Sequence, residues 1–364
     1  MRALKDPDWR VRRAAALALG TFAGTGAKAV PVLLDLLNDE QAEVKRAAVL
    51  ALGKLGKANS DVPKILETVA NERDSQTRQA AAVALALLGK AEEPLIPLLV
   101  AAMLSGDEYT ADAAVAGLRT LASRMPDALM PALLKDLENA KGPSFVRILQ
   151  VLASAGPSAN QALPKLAGIY GTMPVTARRE ILSRLGTIDR KGDHALPLLR
   201  IGLEDPDPEL RRDAIVGLLR YRGRSGDVLG LLVEALNDAT PKNRMLALGI
   251  LRGMGKNASE ALPQVISRTG DSDPEVRTSA LSAMIAMAEA TDEAVKVCEE
   301  KLSDRDDRVK CAAVKALLKM GGSERGKVVS VLDKALREER QQKIRQCIQS
   351  ALRQLSHSGD RPPG

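Results

Sequence analysis

The feature that most constrains this chain is that it repeats itself. Val11-Arg12-Arg13-Ala14-Ala15-Ala16-Leu17-Ala18-Leu19-Gly20 returns as Val44-Lys45-Arg46-Ala47-Ala48-Val49-Leu50-Ala51-Leu52-Gly53, a step of 33 residues. Counting on by that step reaches Thr77 and Thr110. After one slip it reaches Ala177, Leu210, Asn243, Val276 and Val309. A fixed period of this size describes an array of small units, each too thin to bury its own apolar face, rather than globular domains with separate cores.

Within each copy the anchor and the positions 3, 4, 7 and 8 residues beyond it are apolar or small, as in Val44, Ala47, Ala48, Ala51 and Leu52. That spacing puts them on one face of a helix, here called helix B. Between successive B segments lies a second helical pattern, helix A. Its expected caps are Asp127, Asn160, Asp193, Asp227, Ser259 and Asp292, side chains that accept hydrogen bonds from first-turn N–H groups. Prolines follow at Pro31, Pro63, Pro97, Pro131, Pro164, Pro197 and Pro263, as a first helical turn tolerates. No window alternates with the period of a strand. Aromatic residues make up 2 % of the chain, and the apolar share is mostly Ala, Leu and Val. Small side chains suit many closely packed helical layers better than one thick core.

A charge pattern rides on the repeat. The residue after the anchor is basic at Arg12, Lys45, Arg78, Arg178, Arg211, Arg244, Arg277 and Lys310. Five residues before the anchor it is often acidic, at Asp6, Asp39, Glu72, Asp205, Asp238, Asp271 and Asp304. A second basic residue follows in some copies, at Arg13, Arg46, Arg179 and Arg212. It is replaced by Gln79, Asp112, Met245, Thr278, Cys311 or Gln346 in others. The middle copies, 105–186, break the pattern. Ser105, Asn139 and Thr172 stand where acids are expected, an extra residue near Lys141-Gly142-Pro143 shifts the phase, and Tyr109, Phe145 and Tyr170 gather around these turns. Departures from a local rule are where specialisation is sought.

The Asp-Pro-Glu-x-Val-Arg-x-x-Ala-x-x-Ala-Leu pattern, at Asp205–Leu218, Asp273–Ala283 and Asp306–Leu317, resembles the HEAT-repeat superfamily. Its repeat style is nearest the bacterial HEAT-like repeats of the phycobilin-lyase type. The resemblance implies an all-α fold, a right-handed α-α superhelix of about ten to eleven two-helix repeats of period 33. One solenoid is expected over 1–355, its first repeat lacking most of helix A, with a disordered tail over 356–364. The resemblance also implies that B helices line the concave face. It implies that Asp6, Asp39, Asp205, Asp238, Asp271 and Asp304 tie neighbouring turns to Arg12, Lys45, Arg211, Arg244, Arg277 and Lys310. This ladder is read as structural. Arg13, Arg46, Arg179 and Arg212 are the candidate concave-face contacts for an anion or a partner, and Tyr109, Phe145 and Tyr170 mark candidate specialised turns.

The function that follows is a protein–protein interaction scaffold without chemistry of its own, its partners other proteins with acidic patches. A phycobilin-lyase-like chaperone or lyase, or an inactive relative, is the first alternative. An anion- or nucleic-acid-binding scaffold is the second. The net charge of +7 is spread, +4 up to Gly186 and +3 beyond, and the scarcity of aromatics weighs against base stacking. No cofactor or metal is expected. The His-Glu pairs of HEAT-repeat iron hydroxylases are missing, since His194 precedes Ala195 and His357 precedes Ser358. Cys298, Cys311 and Cys347 lack C-x-x-C spacing, and Cys298 and Cys311 read as buried thiols. Arg12-Arg13 before Ala14–Gly20 imitates a twin-arginine signal, but it keeps the repeat phase. No apolar run is long enough to span a membrane, so the cytoplasm is the expected compartment. Met1–Lys5 is too short to cover Val11, Ala14, Ala15 and Leu19. The expectation is therefore that an N-terminal region is missing or that a partner or second copy covers this face.

Overall fold

The computed structural model describes residues 2–21, 26–287, 291–321 and 324–357. Among these the secondary structure is entirely helical. The chain divides into two compact units, Met1–Ala195 and Leu196–Gly364.

In the first unit the odd-numbered helices are α1 (Trp9–Leu19), α3 (Ala42–Leu55), α5 (Ser75–Leu87), α7 (Glu108–Arg124), α9 (Pro143–Ala155) and α11 (Val175–Ile188). They alternate with α2 (Gly26–Asp35), α4 (Val62–Val69), α6 (Ile96–Met103), α8 (Pro126–Leu137) and α10 (Leu163–Ile169). Each odd helix packs on the next odd helix, and α3, α5, α7 and α9 also pack on the even helix before them, so successive helix pairs stack. In the second unit the odd helices are α13 (Pro208–Leu218), α15 (Pro241–Met254), α17 (Pro274–Met287), α19 (Asp307–Met320) and α21 (Gln342–His357). Its even helices are α12 (Ala195–Leu203), α14 (Ser225–Ala235), α16 (Leu262–Ser267), α18 (Asp292–Lys301) and α20 (Arg325–Glu338). The second unit repeats the scheme from α13 onward, with α15, α17, α19 and α21 packed on the even helices before them.

The small residues explain the close stacking. Ala47, Ala48 and Ala51 of α3 and Ala80, Ala81, Ala82 and Ala84 of α5 are buried. A Cβ placed on Gly53 would fall 2.5 Å from the Ala84 Cα, closer than any carbon–carbon contact allows. Only glycine lets α3 and α5 approach so far. On the first helix, which packs on α3 and on the turn Arg2–Lys5, Ala16 is buried, while Val11 is 39 % exposed and Ala14 and Ala18 are exposed as well.

The expected helix-A caps are used differently. Asn160 and Ser259 sit inside 3-10 turns, Gly156–Ala162 and Gly255–Ala261, that lead into α10 and α16. Asp127 and Asp227 lie within first turns, where a carboxylate favours the positive end of the helix dipole without capping it. Asp292 is the first residue of α18, and Thr291 is its cap, accepting from the Ala294 N–H at 3.2 Å. Asp caps belong instead to the odd helices. Asp8, Asp74, Asp107, Asp207 and Asp306 each accept a backbone N–H of the first turn. Before α12 the polar anchor is Asp189, whose carboxylate accepts four backbone N–H groups, from Lys191, Gly192, His194 and Ala195, at 2.8–3.1 Å. Pro31 and Pro131 fall inside α2 and α8 rather than in their first turns.

The extra residue of the middle copies is taken up at Gly142, the N-cap of α9, which has φ 54° and ψ −131°. That backbone region is open to glycine and strained for other residues. Of the tail expected over 356–364, Ser356 and His357 complete α21 and the rest lies outside the described residues.

Candidate functional site

The charge ladder comes first because it removes most of the charged side chains from candidacy. Arg12 donates to both oxygens of Asp39, at 2.7 and 3.0 Å. Arg211 meets Asp238 at 2.7 and 3.1 Å. Arg244 meets Asp271 at 2.9 and 2.7 Å, and Arg277 meets Asp304 at 2.9 and 2.7 Å. Every acid lies 27 residues beyond its arginine, so each pair links one odd helix to the turn before the next. The third guanidinium nitrogen turns back to the arginine's own turn. Arg244, for example, donates to the carbonyls of Asp238 and Ala239. Lys45 and Lys310 make the equivalent links to Glu72 and Glu339, both at 2.8 Å. Asp6 and Asp205, the first ladder acid of each unit, accept from the N–H two residues on.

The forked arginine–carboxylate geometry sets the proton affinities. The Arg12 hydrogen bond holds the Asp39 carboxyl below its usual range. Burial pushes Asp238, Asp271 and Asp304 upward, but the bonds from Arg211, Arg244 and Arg277 and from nearby backbone N–H groups outweigh it and leave all three lowered. These carboxylates are charged, satisfied and turned inward. They hold turns together and offer little to a partner.

The middle copies lack this link where the acid is missing. The Arg78 side chain donates only to the carbonyls of Glu72 and Arg73, within its own turn. Arg147 of α9 reaches Asp112 of the preceding odd helix, α7, at 3.3 Å. The three aromatics singled out there separate. Phe145 and Tyr170 are 0 % and 1 % exposed, so they are core side chains that fill the space around the irregular turns. Of the candidate specialised turns, these two thus mark positions whose side chains are turned inward. Tyr109 remains at the surface. The Lys54 ammonium lies 4.5 Å from its ring centroid and donates to its hydroxyl at 3.1 Å.

Tyr109 belongs to a groove of about 420 Å³ built by four successive odd helices. Trp9 and Arg13 come from α1, Arg46 from α3, Gln79 from α5 and Tyr109 from α7. Arg46 is tied to Glu43 at 3.2 Å and to Asp74 at 3.5 Å. Arg13 makes no ion pair among the described residues, in a lining that also holds Trp9, Gln76, Gln79 and Tyr109 and the carboxylates of Glu43 and Asp107. Of the four arginines expected to line one face, Arg13 and Arg46 are thus brought together. Arg212 lies in the other unit, more than half exposed and engaged by Glu209 at 3.0 Å. Arg179 is exposed on α11 and does not line the groove. Sequence reasoning passed over Trp9, Gln76 and Gln79. The signal was available: Arg13, Arg46 and Gln79 stand 33 residues apart. Gln79 was taken to interrupt the arginine row, and in space it continues the same lining. Among the described residues no group of three or more His, Cys, Asp or Glu could hold a metal ion, and no helix is long and apolar enough to cross a membrane.

The comparisons agree with this architecture. The HEAT-repeat family profile, "HEAT repeats", matches residues 1–86. It is the general family, and the phycobilin-lyase branch is not singled out. No curated protein sequence matches the chain. Among solved structures, a Kap121p mutant superposes with a TM-score of 0.61 at 13 % identity over 96 % of this chain and 44 % of that one. Kap121p bound to Nup53p gives 0.61 at 12 % over the same shares. Importin beta gives 0.52 at 14 %, over 100 % of this chain and 56 % of that one. The chain therefore spans about half the length of these structures, and identities this low establish the fold. Residues 1–86 match the HEAT-repeat family by sequence, and the chain as a whole shares the stacked-helix fold of these structures.

Proposed function

We propose that this chain is a non-enzymatic scaffold that binds other proteins through the exposed side chains of its odd helices. On the family resemblance these helices line the concave face. The first binding surface is the groove of Trp9, Arg13, Arg46, Gln79 and Tyr109, and its occupant is an extended acidic segment of a partner. The observation that carries this is the Arg13 guanidinium, which makes no ion pair among the described residues, in a lining shared with Trp9, Gln76 and Gln79 and contributed by four consecutive odd helices, where the two carboxylates are already engaged, Glu43 by Arg46 and Asp107 by the first turn of α7. Trp, Tyr and Arg are the residue types that dominate binding energy at protein interfaces. Glutamine amides can donate to and accept from an extended backbone. A carboxylate would find in Arg13 a planar fork whose donors are not already engaged. Kap121p has been solved bound to Nup53p and to Pho4p, so a relative in fold takes protein partners.

Trp9 is the single tryptophan of the chain and sits in the groove, so its fluorescence reports occupancy directly. Acidic peptides should shift its emission, basic peptides of equal length should not, and added salt should weaken the response. Arg13→Ala should reduce acidic-peptide affinity about tenfold, within the range of an interface arginine. A Trp9 response equal for acidic and basic peptides would refute the proposal. A preference for single-stranded oligonucleotides over acidic peptides would do so too, because it would assign the face to nucleic acid.

A further inference from the structure

The second unit carries a different groove, of about 710 Å³, lined by α15, α17, α19 and α21. Thr278 and Cys311 in its lining stand two residues beyond their anchors, the same repeat position as Arg13, Arg46 and Gln79. Each unit thus has a groove on the equivalent face of its odd helices. The linings differ. Arg252 of α15, Lys315 and Lys319 of α19 and Lys343 of α21 are exposed in the second groove and make no ion pair among the described residues. Arg308 also borders it but is bound to Asp306 and Glu275, at 2.9 and 3.1 Å. Asp307, the carboxylate of the lining, sits in the first turn of α19, where the helix dipole already favours it. The groove therefore carries a positive surplus. Ala312 shares one face of α19 with Lys315 and Lys319, and with Ile285 and Ala286 of α17 it adds apolar surface that is exposed or half-buried. Cys311, expected from the sequence to be buried, is half-buried and lines the groove, whereas Cys298 is fully buried. The Thr278 and Ser282 hydroxyls donate to the carbonyls of Pro274 and Thr278 in their own helix, at 2.9 and 3.1 Å, so the strong free donors are the cations. The lining holds no aromatic ring, unlike the first groove with Trp9 and Tyr109.

We propose that this groove is a second docking surface, whose occupant is a partner-protein segment of clustered Asp and Glu with aliphatic side chains interspersed. Four like charges in one groove repel one another in the free chain, and an acidic segment removes that repulsion as it binds. Lysine ammoniums are point charges on flexible stems, so they meet carboxylates spread along a segment without demanding one fixed geometry. The aliphatic side chains cover Ile285, Ala286 and Ala312, which otherwise face water. A purely charged segment would leave that surface wet. A nucleic-acid strand would find phosphate contacts but no ring on which to stack its bases. This docking surface rests on the reading of the chain as a protein-binding scaffold but is independent of the first groove, because the two linings share no residue.

The test mixes the full folded chain with a synthetic acidic peptide carrying leucines, then acylates exposed lysines with an amine-reactive ester and maps each site. Lys315, Lys319 and Lys343 should be protected, and Lys327 and Lys334 of α20, which do not line the groove, should keep their rates. Alkylation of Cys311 by iodoacetamide should slow in parallel. Lys315→Gln with Lys319→Gln should weaken peptide binding about tenfold, the range of two exposed charge pairs. Lys327→Gln with Lys334→Gln removes the same charge elsewhere and should change affinity by less than about twofold at physiological salt. Equal losses in the two double variants would reduce the effect to net charge and overturn the groove. Equal protection by a peptide with serines in place of the leucines would overturn the amphipathic occupant. Stronger protection by a single-stranded oligonucleotide of equal charge would overturn it too, by assigning the face to nucleic acid. Trp9 emission, followed in the same titration, separates the two grooves. A Trp9 change without lysine protection sinks the second groove alone, and lysine protection without a Trp9 change supports the second and sinks only the first.

Discussion

Removing the carboxylate of Asp271 should loosen two odd helices at once, because one side chain holds both. Its oxygens take two hydrogen bonds from Arg244 of α15 and one from the Asp273 N–H at the start of α17. The Asp271 and Arg244 side chains are 4 % and 10 % exposed. In Asp271→Ala the guanidinium stays desolvated without its counter-charge, held only by the carbonyls of Asp238 and Ala239. Breaking a buried ion pair from one side costs about 3–5 kcal/mol. Arg244→Ala should cost about the same, since it also releases those two carbonyls. The double variant leaves neither charge stranded, so its loss should fall short of the sum by about 2 kcal/mol, the range of directly contacting pairs. Arg308 and Glu275 serve as the control. They meet at 3.1 Å but are 59 % and 58 % exposed, so their coupling should be within about 0.5 kcal/mol of zero. Native-state hydrogen exchange of α15 and α17 is the assay, because array proteins open locally and one global transition would blur the effect. Additive losses for Arg244 and Asp271, or equal coupling at the two pairs, would refute the reasoning.

Gly53→Ala should destabilise the first unit by about 1–3 kcal/mol, although alanine is the better helix former, because the added methyl meets α5; thermal melting followed by circular dichroism decides the sign. Asp189→Ala strips four backbone N–H groups of their acceptor and should cost about 3 kcal/mol, with faster amide exchange confined to 189–196. Phe145→Ala should cost about 3–5 kcal/mol by opening a cavity in the core, whereas Tyr109→Ala should leave stability within about 0.5 kcal/mol and lower acidic-peptide affinity instead. The ladder carboxyls Asp39, Asp238, Asp271 and Asp304 have lowered folded-state values. Their contribution to stability is therefore complete above the unfolded value of about 3.9 and disappears as the pH falls through the lowered folded values. Stability measured against pH should drop below about pH 4, and less steeply in Arg244→Ala.

The sequence by itself determined the architecture. A 33-residue echo of anchor, basic residue and paired alanines demands a helix with one small-residue face, and such a face can be buried only against a copy of itself. It also determined that the acids and bases of the ladder would bond, since their types and phase recur together. It did not determine which acid meets which base. Asp271 and Arg277 look like partners six residues apart, yet Asp271 bonds Arg244 and Arg277 bonds Asp304. The length of a helix pair, not local spacing, brings position n against position n + 27. The groove was illegible for the same reason. Trp9, Arg13, Gln79 and Tyr109 are separated by up to 100 residues, and only stacking of consecutive helices puts them in one wall. Phe145 and Tyr170 show the converse. An aromatic beside an irregular turn can fill the core or face a partner with the same neighbours in sequence. Tertiary burial decided for the core: both side chains end fully enclosed, as close-packed interiors require of large apolar groups that find no solvent.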